Sequence, residues 1–345
     1  MHNPFTLAFG KKPLRYISRL MYTNKVIDSF TAEVPSAQVY MITGVRGSGK
    51  TVFMTNIVSE MREKKDWYAI ELNTDGDLLS DLASKLYSIP GLNALFLKAK
   101  IDLSFLGLGV SIESSVPITN IESAIDRMLK VLKKNDKHLL IALDEVVSNK
   151  EIRRFANAFQ IFVRQDYNIY MLMTGLYENI YNLQNEDTLT FLYRAPKIML
   201  EPLNISAIAA SYKEVFAIDE EEAMRMTVLT RGYAFAYQVL GYIRWEHKNR
   251  SIEDIMPEYD QYLQEYVYDK IWHELSDRDR EVLHVLSGSE SMRVKDILKE
   301  LNVNSSQFST YRDRLIKKGL IDTSRYGYMS IILPRFSDYI KIRMF

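Results

Sequence analysis

Short apolar runs alternate with helix-period stretches along the first two hundred residues, and this alternation is the main organising signal in the chain. Gln38-Val39-Tyr40-Met41-Ile42-Thr43 is apolar and β-rich, and four later runs share its character: Trp67–Leu72, Leu139–Leu143, Asn168–Thr174 and Pro196–Leu200. Between them apolar positions recur at helical spacing over Lys50 to about Lys64, Leu78–Tyr87, Ile121–Lys134, Lys150–Arg164 and Glu178–Leu183, after an earlier helix near Thr23–Thr31. Strands alternating with helices predict an α/β fold with a parallel sheet covered on both faces. Lys98–Glu113 breaks the rhythm. Ile101, Leu103 and Phe105 alternate with Asp102 and Ser104, and Gly107 and Gly109 follow, a pattern that predicts a β-hairpin inserted at about 98–113.

Beyond Pro202 the pattern is helical to about Lys270. It includes a tyrosine stripe, Tyr259, Tyr262, Tyr266 and Tyr268, at a spacing that predicts helix packing rather than a ligand cage. A third unit follows Leu275. Ser276–Leu286, Val294–Leu301 and Ser305–Lys318 read as three short helices, and Ile321 to Leu333 as two strands meeting near Tyr326-Gly327. Three helices and a terminal hairpin outline a winged helix-turn-helix.

Composition narrows the class. At 345 residues two or three domains are expected, and 47% hydrophobic with 26% charged residues is the balance of a water-soluble chain with a large core. No run reaches the roughly 18 apolar residues of a membrane helix, and Met1 to Lys12 lacks the pattern of a secretory signal. Cysteine is absent, which excludes disulfides, Cys-ligated zinc and thiol nucleophiles, and the five histidines show no metal-type pairing. A cytoplasmic setting without membrane contact is the expectation. Net charge is zero, but residues 276–345 carry 13 Lys/Arg against 9 Asp/Glu, a basic end on a mildly acidic body.

The candidate chemistry begins at Gly44-Val45-Arg46-Gly47-Ser48-Gly49-Lys50-Thr51, which fits G-x-x-x-x-G-K-[ST] at every fixed position, with a strand before it and a helix after it. Its glycines let backbone N–H groups turn inward as a nest for phosphate oxygens, and the helix start favours the same negative charge. Lys50 is placed to reach the β- and γ-phosphates of ATP, the Thr51 hydroxyl to bind Mg²⁺, and Val52 continues the nucleotide-binding stretch. Leu139-Leu140-Ile141-Ala142-Leu143-Asp144-Glu145 then brings two carboxylates to a strand end. Asp144 is expected to hold Mg²⁺ through its water shell and Glu145 to orient or deprotonate the attacking water. Thr174, ending the next strand, either contacts the γ-phosphate or that water, or serves as a turn cap.

These segments, with Thr174-Gly175 and Gly232-Tyr233-Ala234-Phe235 running on to Gly241, resemble the AAA+-related P-loop ATPases of the archaeal-type or origin-recognition-like group, close to the STAND ATPases. The resemblance implies an ATPase domain over 1–201 with an N-terminal arm, a helical lid over 202–274 and a winged helix-turn-helix over 275–345. It implies a branch in which Glu145 is catalytic and an extra strand, Trp67–Leu72, is inserted between the two motif strands. It also implies that Tyr16-Ile17-Ser18-Arg19 is an N-terminal box near the adenine, with Arg19 as a nucleotide-binding residue. Gly232 would open the lid helix over the nucleotide, although Ala234 stands where the family has proline. Arg194 falls where such proteins place an arginine finger acting on a neighbouring subunit, so a homo-oligomer or a protein partner is expected; the alternative is a surface salt bridge. Arg231 matches a sensor arginine poorly.

The third C-terminal helix, residues 305–318, carries Ser305, Ser306, Gln307, Ser309 and Thr310 at its start, then Arg312, Arg314, Lys317 and Lys318. That order suits a helix in a duplex DNA major groove, polar residues toward bases and basic ones toward phosphates, with Arg325 and Tyr326 at the wing tip adding a backbone contact. The alternative is a STAND-like ATP-dependent switch whose winged helix packs internally or binds a protein. A metabolic kinase fits less well, because Glu145 favours water as acceptor.

Overall fold

The computed structural model describes residues 2–8, 10, 12–101, 103–104, 118 and 120–344. Of the hairpin expected at about 98–113, residues 102 and 105–113 lie outside them. Its first residue, Lys98, ends a helix instead.

The chain forms two compact units, the first of which comprises Leu20–Thr43 and Lys50–Met199. Its elements run α1 (Leu20–Thr31), β1 (Val39–Thr43), α2 (Lys50–Arg62), β2 (Trp67–Leu72), α3 (Leu78–Ser88), α4 (Pro90–Lys98), α5 (Ile121–Lys134), β3 (His138–Leu143), α6 (Lys150–Arg164), β4 (Ile169–Gly175), α7 (Tyr177–Gln184), α8 (Thr190–Tyr193) and β5 (Lys197–Met199). The helices start where a side chain can take an orphan backbone N–H. Asp77 accepts from Leu79 and Ser80, Asn120 from Ser123, and Asn149 from Ile152. The helix α4 has no such cap but carries Pro90 at its first position, where the missing N–H costs nothing.

The five strands are parallel, in the order β2-β3-β4-β1-β5. Strands β1 and β4 are buried along their whole length and β3 along all but His138, as a sheet covered on both faces requires, whereas the edge strands β2 and β5 are partly open. This order corrects one expectation. Trp67–Leu72 is an edge strand, and the strand between the two motif strands β1 and β3 is β4. Cross-strand pairing depends on register with distant segments, which chain order alone does not encode.

The second unit comprises Met1–Arg19, Gly44–Gly49 and Leu200–Phe345. It contains α9 (Ile205–Phe216), α10 (Glu220–Thr230), α11 (Ala234–Glu246), α12 (Ile252–Leu263), a π-helical turn at Gln264–Tyr268, α13 (Asp269–His273), α14 (Asp277–Ser287), β6 (Met292–Arg293), α15 (Val294–Leu301), α16 (Ser305–Lys317), β7 (Ile321–Asp322), β8 (Tyr328–Ile331) and α17 (Phe336–Arg343). The strands make a small antiparallel sheet in the order β6-β8-β7. Ser251, Ser276 and Asn304 each close a reciprocal capping box, with Asp254, Asp279 and Gln307. The tyrosine stripe divides by depth. Tyr259 and Tyr268 are core residues whose hydroxyls donate to the Leu229 and Pro334 carbonyls, while Tyr266 is exposed and Tyr262 stacks on it.

The N-terminal arm is built into this core. Phe5 is buried against Tyr212, Phe216 and Tyr237, and a Cβ on Gly241 would come within 2.5 Å of its ring, so α11 needs a glycine there. Gln238 locks the arm from both sides, accepting from the Thr6 N–H and donating to the Arg15 carbonyl. Replacing Phe5 by alanine is expected to destabilise the protein by about 3–5 kcal/mol, the usual cost of emptying a phenylalanine site. Urea unfolding followed by tyrosine and tryptophan fluorescence checks this; a loss under about 1 kcal/mol would mean that the arm is not part of the core.

Candidate functional site

In the sheet unit the two motif carboxylates sit directly beyond β3. Both oxygens of Asp144 are held by threonine hydroxyls. Thr51, in the first turn of α2, donates to Oδ2 at 2.8 Å, and Thr174, near the end of β4, donates to Oδ1. Thr174 is fully buried and also accepts the Glu145 N–H at 3.1 Å, while its own carbonyl takes the Val146 N–H. Three successive residues after β3 are therefore fixed by one threonine. Glu145 adopts the left-handed region, φ 51°, which a non-glycine residue enters only when neighbouring bonds determine it, and its side chain is exposed. Lys50, the first residue of α2, is buried despite its charge. Val52 lies one turn-position further on, half-buried.

The helical unit holds the glycine-rich segment Gly44–Gly49. Gly47 and Gly49 take φ values of 77° and 89°, and the Ser48 N–H closes a turn onto the Val45 carbonyl at 3.1 Å. Left-handed glycines interleaved with ordinary residues are the backbone arrangement that gathers N–H groups into an anion nest. Val45 packs on the apolar core of its own unit, Arg46 pairs with Glu274 at 2.8 Å, and the Ser48 side chain is buried beside Gly44. Arg19 donates to the Ser48 and Glu201 carbonyls, so the expected N-terminal box reaches the backbone of the glycine-rich loop. Gly232 meets a packing need of its own. It has φ 73°, and a Cβ there would lie 2.8 Å from the Leu203 carbonyl oxygen and 2.9 Å from Pro202 Cβ.

The remaining candidates separate clearly. Arg194 caps α8 and is exposed, and its guanidinium has no hydrogen-bond or ion-pair partner among the described residues. The Arg231 guanidinium donates to the Ile331 carbonyl in β8. On α16, Ser305, Ser306, Gln307, Ser309 and Thr310 are exposed, whereas Phe308 and Leu315 are buried as core positions. Arg314 departs from the expectation. Its guanidinium donates to the buried Asp279 carboxylate and to Ser276 on the α14 cap, so it braces two helices rather than standing on an open basic face. Arg325 and Tyr326 are exposed, and Arg325 and Arg293 both lie against the Tyr328 ring.

The roles of two residues escaped sequence reasoning, although Tyr233 stands in a segment singled out there. Tyr233 donates its hydroxyl to the Arg46 carbonyl, and Glu274 pairs with the Arg46 side chain. The one local signal for Tyr233 is a misfit. A tyrosine occupies the position just before α11 where a capping residue is usual, and no side-chain cap forms.

A comparison with curated proteins gave no match. The family model described as "Domain of unknown function (DUF8462)" matches residues 265–340, from the π-helical turn into α17. Among solved structures, a Walker-type ATPase of Pyrococcus abyssi is similar over 94% of this chain and 96% of its own, at TM-score 0.62 and 14% identity. Cdc6p from Pyrobaculum aerophilum is similar over 98% and 96% at TM-score 0.49, and the ORC2 protein of Aeropyrum pernix over 94% and 92% at 0.48, each at 14% identity.

The hydroxyl of Thr174 carries a stability signature independent of any ligand. Thr174→Val keeps the shape but removes the hydroxyl that bonds both the Glu145 N–H and Asp144 Oδ1, leaving those two only their 3.1 Å bond to each other, and a loss of about 1–3 kcal/mol is expected in chemical denaturation. A variant as stable as the parent would mean that Thr174 does not organise this turn. At 14% identity the likeness is one of fold, and the conclusion it supports is that this chain has the α/β fold of a Walker-type P-loop ATPase.

Proposed function

We propose that the protein binds ATP with Mg²⁺ and hydrolyses it to ADP and phosphate, and that its C-terminal segment is a winged helix contacting duplex DNA. The observation that carries the enzymatic reading is the double clamp on Asp144. Two hydroxyls donate to one carboxylate, which leaves the Thr51 oxygen with lone pairs to offer a cation. An all-oxygen pair of one hydroxyl and one carboxylate suits Mg²⁺, which keeps most of its waters and takes its other ligands from substrate phosphates.

In this reading Thr51 and Asp144 hold Mg²⁺, which when bound neutralises charge on the β- and γ-phosphates. N–H groups of the Gly44–Thr51 segment other than that of Ser48 bind phosphate oxygens, with Lys50 as the positive charge among them. Glu145, exposed and fixed at its backbone, orients the attacking water and accepts its proton. Thr174 acts by holding the acidic pair in register. Arg194, exposed and without a hydrogen-bond or ion-pair partner among the described residues, suits a role on a neighbouring copy of the chain.

Support for DNA contact comes from the exposed polar start of α16, the exposed Arg325 and the surplus of basic residues after 276. The loss of Arg314 to Asp279 lowers the count of available phosphate contacts. A second reading, an ATP-controlled switch whose winged helix packs internally, is favoured by the continuity of the helical unit. Its apolar core runs unbroken from Phe5 to Ile340, and Arg231 and Arg335 bond across it, to Ile331 and Asp260.

ATP hydrolysis by the purified protein, with and without duplex DNA, separates these readings. Lys50→Ala is expected to lose nucleotide affinity, and Glu145→Gln to retain affinity while hydrolysis falls by about 10²-fold or more. Equal loss of binding in both variants would overturn these roles. Stimulation by DNA that fades with added salt supports the nucleic-acid contact. Hydrolysis indifferent to DNA, with no DNA binding, gives the lead to the switch.

A further inference from the structure

The glycine-rich loop is held from outside by the start of one helix. Helix α11 begins at Ala234 with no side-chain cap, so its first N–H groups need other acceptors. The Phe235 N–H finds the Gly47 carbonyl at 3.1 Å. The Tyr233 hydroxyl, on a side chain only 6% exposed, donates to the carbonyl next to it, that of Arg46. The loop backbone thus serves as the missing cap of α11, with carbonyl oxygens facing the positive end of the helix. The fit is close. A Cβ on Gly47 would lie 2.0 Å from the Tyr233 hydroxyl oxygen and 3.2 Å from Phe235 Cβ, while Ala234 Cβ lies 3.6 Å from the place a Cβ would take on Gly49.

Peptide planarity converts these two bonds into control of the nest. In a trans peptide the C=O of one residue and the N–H of the next lie in one plane and point in opposite directions. Holding the Arg46 carbonyl toward α11 therefore aims the Gly47 N–H away from α11. Holding the Gly47 carbonyl likewise fixes the plane of the Ser48 N–H, which closes the turn onto Val45. Burial pushes the Tyr233 hydroxyl far above its ordinary titration range, so it stays a donor at any working pH.

We propose that Tyr233 is a positioning residue for nucleotide, setting the peptide planes of the phosphate loop from behind without itself belonging to the phosphate-binding group. This rests on the reading of Gly44–Thr51 as the phosphate site. It differs from a merely structural tyrosine in what its loss changes, and Tyr259 supplies the comparison: another buried tyrosine of the same unit whose hydroxyl donates to a backbone carbonyl, that of Leu229 at 3.1 Å.

The test sets Tyr233→Phe beside Tyr259→Phe in two measurements. In the nucleotide-free protein, amide hydrogen exchange at Gly47 and Ser48 is expected to quicken in Tyr233→Phe and to stay at the parental rate in Tyr259→Phe. In titrations with a fluorescent ATP analogue, Tyr233→Phe is expected to bind about fivefold to tenfold more weakly, the fold-change of one buried hydrogen bond, and Tyr259→Phe within about twofold of the parent. Unchanged exchange in Tyr233→Phe, faster exchange with unchanged affinity, or equal loss of affinity in both variants each overturns the proposal. If the parent protein binds no nucleotide analogue while exchange responds as expected, the clasp stands and the nucleotide reading falls.

Discussion

A parallel strand that ends inside a protein leaves its last backbone groups without a ladder partner, and much of this site consists of the solutions to that problem. At the end of β3 the orphan N–H groups of Glu145 and Val146 go to the hydroxyl and the carbonyl of Thr174. The same hydroxyl and that of Thr51 then fix Asp144. Beyond β1 the chain enters the glycine-rich segment, where Gly47 and Gly49 are left-handed and the Arg46 and Gly47 carbonyls accept from the Tyr233 hydroxyl and the Phe235 N–H. Buried backbone groups must be paired, and here the pairing itself places the carboxylates and turns the loop. Polar side chains at the carboxyl ends of these parallel strands are thus placed by backbone groups that need partners.

The helical unit solves a different problem with tyrosine. Tyr212, Tyr237, Tyr259 and Tyr268 are all buried, and each hydroxyl is bonded, three of them to carbonyls at 237, 229 and 334 and the fourth to Ser211. A phenol brings a large apolar ring and one hydroxyl that must find a partner, so each such residue pins a particular polar group while filling the core. Desolvation pushes these hydroxyls up, which keeps them protonated and keeps the pins in place. Tyr233 belongs to this group, distinguished by a carbonyl that lies in the glycine-rich loop.

Local signals made much of this legible. Helical periodicity and polar caps delimit Ile121–Lys134 and Lys150–Arg164 at the residues observed, and the eight-residue glycine motif marks the loop because its chemistry is contiguous in the chain. What depended on distant partners was hidden. The edge position of β2 follows from register with β3. The inward turn of Arg314 follows from a carboxylate 35 residues earlier, and Tyr233 reaches a carbonyl 187 residues away. Helix α17 follows Arg335 in a left-handed conformation that no glycine announces, and its start is fixed instead by the Arg335–Asp260 ion pair. Helix α4 carries a local cue, Pro90 at its first position.

The left-handed backbone at residue 145 sets two demands against each other. Glycine would occupy that conformation without the penalty a β-carbon incurs, and asparagine with a smaller one, so the scaffold alone would be more stable with either. Selection of variant libraries for heat resistance, with no demand on turnover, should therefore drift this position toward glycine or asparagine, and, on the proposed role of Glu145, selection for turnover should restore glutamate.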